Sequence, residues 1–417
     1  VLAIYRQRLA DRNLFYLVSG LVLLFVTLAV PVQLDGNWVT LLWAGEAALL
    51  FWIGRTKAAP VYERLAYPLI VIAFLSLLHD WGTVYNLYNP EQPETRLTPL
   101  LNINFLSAAL FLAAFGFMYR VGADRRFQPE IPAKRELQEI VAFVIAAIFL
   151  FTLYTAFRLE IANYWNQLLL ESKLTVGAPG ESYPDTYMNH ELKKFKIIWI
   201  VNYSMLFVSL LAFFNIKKLK NTLLSYINLA LTMMALLQFL TIGLYMISEL
   251  REVYLEQFNA EYYPRGPVYI WLRYVSLAFA GLGLFACYAY TRQEFIKVDF
   301  RTGFDLVLSA AVLWVFSSEL IHWMDMAGSA QSYKLGLSIL WGAYAALLIG
   351  QGIWKSKVHL RVFAIILFAM TLAKLFLYDL TQLDTISKTV VFVSLGALLL
   401  VISFIYQKYK HLLADET

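Results

Sequence analysis

Glu319 and His322 stand three residues apart in the stretch "SSELIHWMDMAGS", with Asp325 a turn further on. On a helix this spacing puts them on one face. A carboxylate beside an imidazole can hold or move a proton, and both groups can bind a metal. Other ionisable residues sit in comparable surroundings. Lys374 and Asp379 lie in "TLAKLFLYDL", Asp80 follows His79 at the end of an apolar run, and Arg273 lies about one turn into another. These charges form a candidate outer polar cavity: Glu319, His322, Lys374, Asp379, Asp80 and Arg273. In hydrocarbon such groups are costly and tend to turn inward and pair. Each also has a structural reading. Asp80, Asp325 and Asp379 are helix ends at an interface, and Lys374 snorkels to headgroups. Glu319 and His322 bond to Ser317, Ser318 or a neighbouring helix.

Glu46 poses the sharpest version of the question. It sits mid-way in "VTLLWAGEAALLFWIGRTK", residues 39–57. An acidic group at the bilayer centre costs roughly 2.5–3.5 kcal/mol on insertion scales. The reading adopted is a buried structural carboxylate that packs spans together through a hydrogen bond. Motifs that would settle a reaction are missing. The chain has no phosphate-binding glycine loop, no H-E-x-x-H and no G-x-S-x-G. No residue is assigned a catalytic role, and neither a cofactor nor a metal site is expected. The single cysteine, Cys287, lies in an apolar run, which excludes disulfides within the chain.

The elements that must carry these residues are membrane helices. The chain is 60% hydrophobic and 15% charged, against about 25% charged in a soluble domain. Its mean hydropathy is +0.61. Apolar runs recur at the length needed to cross about 30 Å of hydrocarbon. The pattern predicts an all-α polytopic membrane protein with about twelve spans, near 14–32, 38–54, 65–81, 100–119, 137–158, 196–215, 222–247, 268–291, 304–325, 336–354, 361–378 and 388–407. Most of the 34 Lys and Arg residues fall in alternate connections, among them Arg55, Lys57, Lys217, Lys218, Lys220, Lys355 and Lys357. The positive-inside rule then places both termini in the cytoplasm. The net charge of +5 is read as basic loops, with no nucleic acid as partner.

Two connections are predicted outside and long. Residues 158–196 begin with Ile161, Trp165, Leu168 and Leu169 at helical spacing, which predicts an interfacial amphipathic helix followed by a loop. Residues 248–267 are acidic and tyrosine-rich. Both could dock envelope proteins.

An internal likeness links two distant stretches at a constant offset. Leu42/Leu340, Trp43/Trp341, Ala47/Ala345, Ala48/Ala346, Leu49/Leu347, Leu50/Leu348, Gly54/Gly352 and Lys57/Lys355 are identical, while Tyr344 stands opposite Glu46. Spans 1–3 and 9–11 are thus predicted to form a parallel repeat. The expected organisation is 1–119 (first repeat unit plus span 4), 120–300 (spans 5–8) and 301–417 (second repeat unit plus span 12).

"VPVQLDGNWVTLLWAGEAALLFWIGR", "SSELIHW" and the long run from "LWGAYAALLIGQGIWKSKVHLR" to "VISFIYQKYK" resemble bacterial predicted membrane proteins of domain of unknown function 2339. The pattern includes "K-x-F-L-x-D-L-x-x-L", here Lys374, Phe376, Leu377, Asp379, Leu380 and Leu383. Lys388 stands where that family usually has Arg. The likeness is specific for 337–410, fair for 14–81 and weak between 120 and 300. It implies an α-helical fold, a bacterial cytoplasmic (inner) membrane location and the C-terminal portion of a longer chain. It does not carry a reaction. Three functions remain: transport or flipping of an envelope lipid or glycan through the outward cavity, an integral-membrane transferase using a lipid-linked donor, and a scaffold subunit. In the transferase reading Glu319 or Asp80 is the base, and Arg273 and Lys374 hold a phosphate.

Overall fold

The computed structural model describes residues 36–127, 132–176, 185–329 and 333–375, with scattered helical positions between 18 and 29 and between 377 and 404. The expected first and last spans fall largely outside these residues, and Asp379 lies outside them altogether. The chain divides into two compact units, Val1–Lys196 and Ile197–Thr417.

The first unit holds α1 (Asn37–Thr56), α2 (Pro60–Val84), α3 (Ile103–Ala123) and α4 (Pro132–Glu171). A short antiparallel hairpin follows, β1 (Leu174–Val176) against β2 (Asp185–Tyr187). Local signals set the boundaries. Pro60 opens α2, where its missing N–H is no loss. Asn102 caps α3 by accepting from the Phe105 N–H at 2.8 Å. Between membrane helices association rests on close packing and polar contacts, and small residues allow that approach. Ala44 and Ala47 of α1 and Ala66 and Ala73 of α2 are accordingly buried, together with Phe111 and Phe115 of α3.

The second unit takes up α5 (Glu191–Phe214) from Ile197 onward, ending in a π turn at Asn215–Leu219. Then come α6 (Thr222–Gln238), a second π turn at Phe239–Gly243, and α7 (Leu244–Glu256). The unit continues with α8 (Val268–Thr291), α9 (Arg301–Met326), α10 (Tyr333–Trp354) and α11 (Val358–Lys374).

Two helical hairpins, α1–α2 and α10–α11, turn in the same way. Ala58 and Ser356 both take left-handed backbone, at φ 49° and 50°. The next amide reaches back to a glycine carbonyl in each: Ala59 N to Gly54 O at 3.0 Å, Lys357 N to Gly352 O at 2.8 Å. Both glycines are required by the approach of the following helix. A Cβ on Gly54 would stand 2.6 Å from the Glu63 backbone nitrogen, and one on Gly352 would stand 3.1 Å from that of Arg361. The buried positions also correspond, with Ala47 and Ala345, Leu50 and Leu348, and Ala66 and Ala364 all inside.

Among the described residues eight helical segments are long and apolar enough to cross a membrane. Large apolar side chains such as Leu75, Leu231, Phe285 and Ile365 are bare on their flanks. A soluble protein rarely exposes apolar surface so extensively. In a bilayer, lipid covers it.

Three boundaries differ from the sequence reading. The separate interfacial helix expected after 158 is instead the continuation of α4, as far as Glu171. The α6–α7 rod runs on to Glu256, through residues expected to be loop. The 158–196 connection also contains the β1–β2 hairpin. Glu, Gln, Leu and Arg are good helix formers, so the hydrogen-bonded helix outlasts its apolar stretch.

Candidate functional site

A polar cluster of the second unit joins α7, α8 and α9. Arg273, on the second turn of α8, is 1% exposed; its Nε meets Glu319 Oε1 at 2.5 Å. Its Nη2 donates to Ser318 Oγ at 2.7 Å. Arg251 of α7 is 3% exposed and meets Asp325 Oδ2 at 2.6 Å through Nη2. His322 lies between the two carboxylates in sequence and is buried. Its ring meets Tyr274 and Trp323 edge-on, with centroids 6.4 and 5.6 Å away. Just below Arg273 on α8, Ser276 accepts from Asn202 Nδ2 of α5 at 3.0 Å.

Consecutive residues of "SSELIHWMD" thus serve different neighbours. Ser317 accepts from Trp341 Nε1 of α10 at 2.9 Å. Ser318 and Glu319 hold Arg273 of α8, and Asp325 holds Arg251 of α7. A helix rotates about 100° per residue, so one polar stretch can serve three partners.

The bridges do not exhaust their donors. Arg251 Nε and Nη1, Arg273 Nη1 and His322 Nδ1 are buried without a hydrogen-bond partner among the described residues. A buried donor left open costs about 1–3 kcal/mol, more when charged. Because Glu319 is engaged by Arg273, the cluster presents donors rather than an unencumbered base. That arrangement suits holding an acceptor.

The other candidate residues have local partners. Lys374 donates to Ser338 Oγ at 2.9 Å and to the Lys334 carbonyl at 3.2 Å, both on α10. On α9, Glu319 faces Arg273 of α8 and Asp325 faces Arg251 of α7. Asp80 belongs to the first unit, where it accepts from Thr40 Oγ1 at 2.6 Å, and Thr40 also meets Ser76. Glu46 accepts from Thr27 Oγ1 at 2.9 Å, while Tyr344 of the second hairpin donates to the Ser309 carbonyl at 3.0 Å.

Two residues escape the sequence reading. The charged "SELREVYLEQ" ends the apolar window and so puts Arg251 in a loop. The signal that it is helical lies in Leu244, Ile247 and Leu250, which continue the buried face of the helix up to Arg251. Glu160 of α4 is the other. It is 3% exposed and accepts from Tyr85 Oη at 2.6 Å, the Leu100 N–H at 2.9 Å and Asn102 Nδ2 at 2.8 Å. Two and three turns on, Gln167 binds the Leu97 carbonyl, and Glu171 meets Arg96 and Tyr88. One face of α4 therefore fastens the 85–102 connection. Burial first, then the adjacent Glu160, pushes the Tyr85 phenol well above its ordinary value, so it remains a donor.

Apolar helices with bare apolar flanks and buried ion pairs define a multi-pass α-helical membrane protein. The chain belongs to the family described as predicted membrane protein (DUF2339), whose model matches residues 1–409. No curated protein and no solved structure matches it.

Proposed function

We propose that this protein handles an envelope lipid or glycan, by transport or flipping, at the outer face of a bacterial cytoplasmic membrane. One observation carries the reading: two almost fully buried arginines on adjoining apolar helices keep open donors after each has bound its carboxylate. Open donors of this kind are available to an acceptor. The proposed orientation puts Arg55 and Lys57 of the α1–α2 turn, Lys217, Lys218 and Lys220, and Lys355 and Lys357 of the α10–α11 turn in the cytoplasm. The cluster then lies toward the outer leaflet. About twelve spans with both termini inside fit this arrangement. So does a parallel repeat of spans 1–3 and 9–11, which the matching hairpin turns support.

A transferase with Glu319 as base is the weaker reading, since Arg273 occupies that carboxylate. A scaffold docking through 158–196 and 248–267 would need no membrane site at all. The test is complementation of a deletion strain with Glu319→Gln, at matched protein level and thermal stability, reading outer-leaflet lipid and glycan composition by mass spectrometry. A changed composition is expected. Full complementation would sink the handling role and favour the scaffold.

A further inference from the structure

Arg251 of α7 and Arg273 of α8 both pair with carboxylates of α9, and the Arg251 guanidinium feels the charge of Arg273. Asp325 and Glu319 offset one positive charge apiece. Glu252 adds little, lying 3.7 Å from Arg251 Nη2 with its side chain 57% exposed. The cluster is therefore near neutral, yet three guanidinium nitrogens have no acceptor among the described residues: Arg251 Nε, Arg251 Nη1 and Arg273 Nη1. The buried His322 adds Nδ1, which donates in the tautomer protonated there.

Planar guanidinium forks match oxyanions that offer two acceptor oxygens, and a bridging anion would relieve the repulsion between the two arginines. The two carboxylates already offset the two arginines, so a monoanion leaves one excess negative charge and a dianion two; the open donors rather than net charge would hold the ligand, and the monoanion is the better fit. A phosphodiester brings one negative charge and two free oxygens. From these features, and resting on the lipid-handling reading above, we propose that Arg251, Arg273 and His322 form a subsite for a phosphoryl oxyanion, supplied by the phosphodiester of a lipid headgroup. Asp325 and Glu319 act as positioning residues that hold the two arginines.

The test uses the purified full chain in maltoside micelles and reads its thermal midpoint against three additives: short-chain phosphatidylglycerol, inorganic phosphate, and diacylglycerol with the same acyl chains. Phosphatidylglycerol should raise the midpoint saturably and diacylglycerol should not. Arg251→Lys keeps a charge facing Asp325 but removes the two open nitrogens, Nε and Nη1, and should weaken the response at least tenfold. A saturable response to inorganic phosphate equal to that of phosphatidylglycerol would support the oxyanion subsite and overturn the lipid as its source. Equal responses to phosphatidylglycerol and diacylglycerol, or an Arg251→Lys response matching the unaltered protein, would mean that the donors meet water, and would overturn the proposal. Should Arg251→Lys not fold, His322→Phe takes its place, and the comparison of the two lipids on the unaltered protein still decides. Headgroup binding in a protein whose Glu319→Gln variant complements fully would keep the subsite and reject the handling role. The opposite pair of results would keep the role and reject the subsite.

Discussion

Deleting the Glu319 carboxylate would strand Arg273, 1% exposed, with Ser318 as its remaining side-chain acceptor among those described. Breaking a buried pair from one side costs about 3–5 kcal/mol, while replacing both partners with apolar side chains is often neutral. Glu319→Leu should therefore lower stability by several kcal/mol, and Arg273→Met with Glu319→Leu should recover most of it. Reversible denaturation of the single and double variants in detergent measures the coupling; additive losses would mean that the bridge contributes nothing. Glu319 and Arg273 were both recognisable in the sequence as charges in apolar runs. Their pairing was not. Three carboxylates on or near two helix ends offered several matches for each base, and only the rotation of α8 and α9 about their axes selects one.

At the scale of elements, the two hairpins depend on glycine. At Gly54 an added Cβ would collide with the backbone of Glu63, which cannot move aside as a side-chain tip would. Gly54→Ala should destabilise the α1–α2 hairpin by about 1–3 kcal/mol, the usual cost of overpacking. At Gly352 the nearest atom is Arg361 Cγ, part of a flexible side chain, so Gly352→Ala should cost less. Thermal unfolding of both variants compares them, and the reverse order would contradict this difference in packing. The α4 face that fastens 85–102 offers another test. Glu160→Ala removes the acceptor shared by Tyr85, Leu100 and Asn102, and should speed proteolysis within 85–102 while leaving the α1–α2 hairpin intact. The Tyr85 contribution has a defined sign. Its phenol is raised in the folded protein, so its stabilisation is complete below the ordinary value of about 10 and is lost as pH rises through the higher folded value. Tyr85→Phe should flatten that alkaline loss.

For the whole molecule, the proposed orientation predicts which ends of the helices an impermeant thiol reagent can reach. Cys287, the one native cysteine, is buried and should give little background. A cysteine at Asn259 should label on intact cells, and one at Lys218 should label only after lysis. The opposite pattern would invert the topology and move the arginine cluster to the cytoplasmic side.

The class of this protein is legible in its residues: apolar stretches of membrane length, the basic turns between them, and the paired Trp43/Trp341 and Gly54/Gly352 are all readable, because burial in lipid constrains composition along the chain. The sequence also marked Glu319, His322, Arg273 and Lys374 as costly residues. Where the helices end is set in the folded arrangement, since helix-forming charged residues carry α4 and α7 past their apolar windows. Only the tertiary structure brought Arg251 to Asp325 and Arg273 to Glu319, gave Lys374 to Ser338, and turned Glu160 into the anchor of a connection. Those outcomes depend on which helix faces meet, and a contact between residues far apart in the chain leaves no periodic trace in the order of the residues.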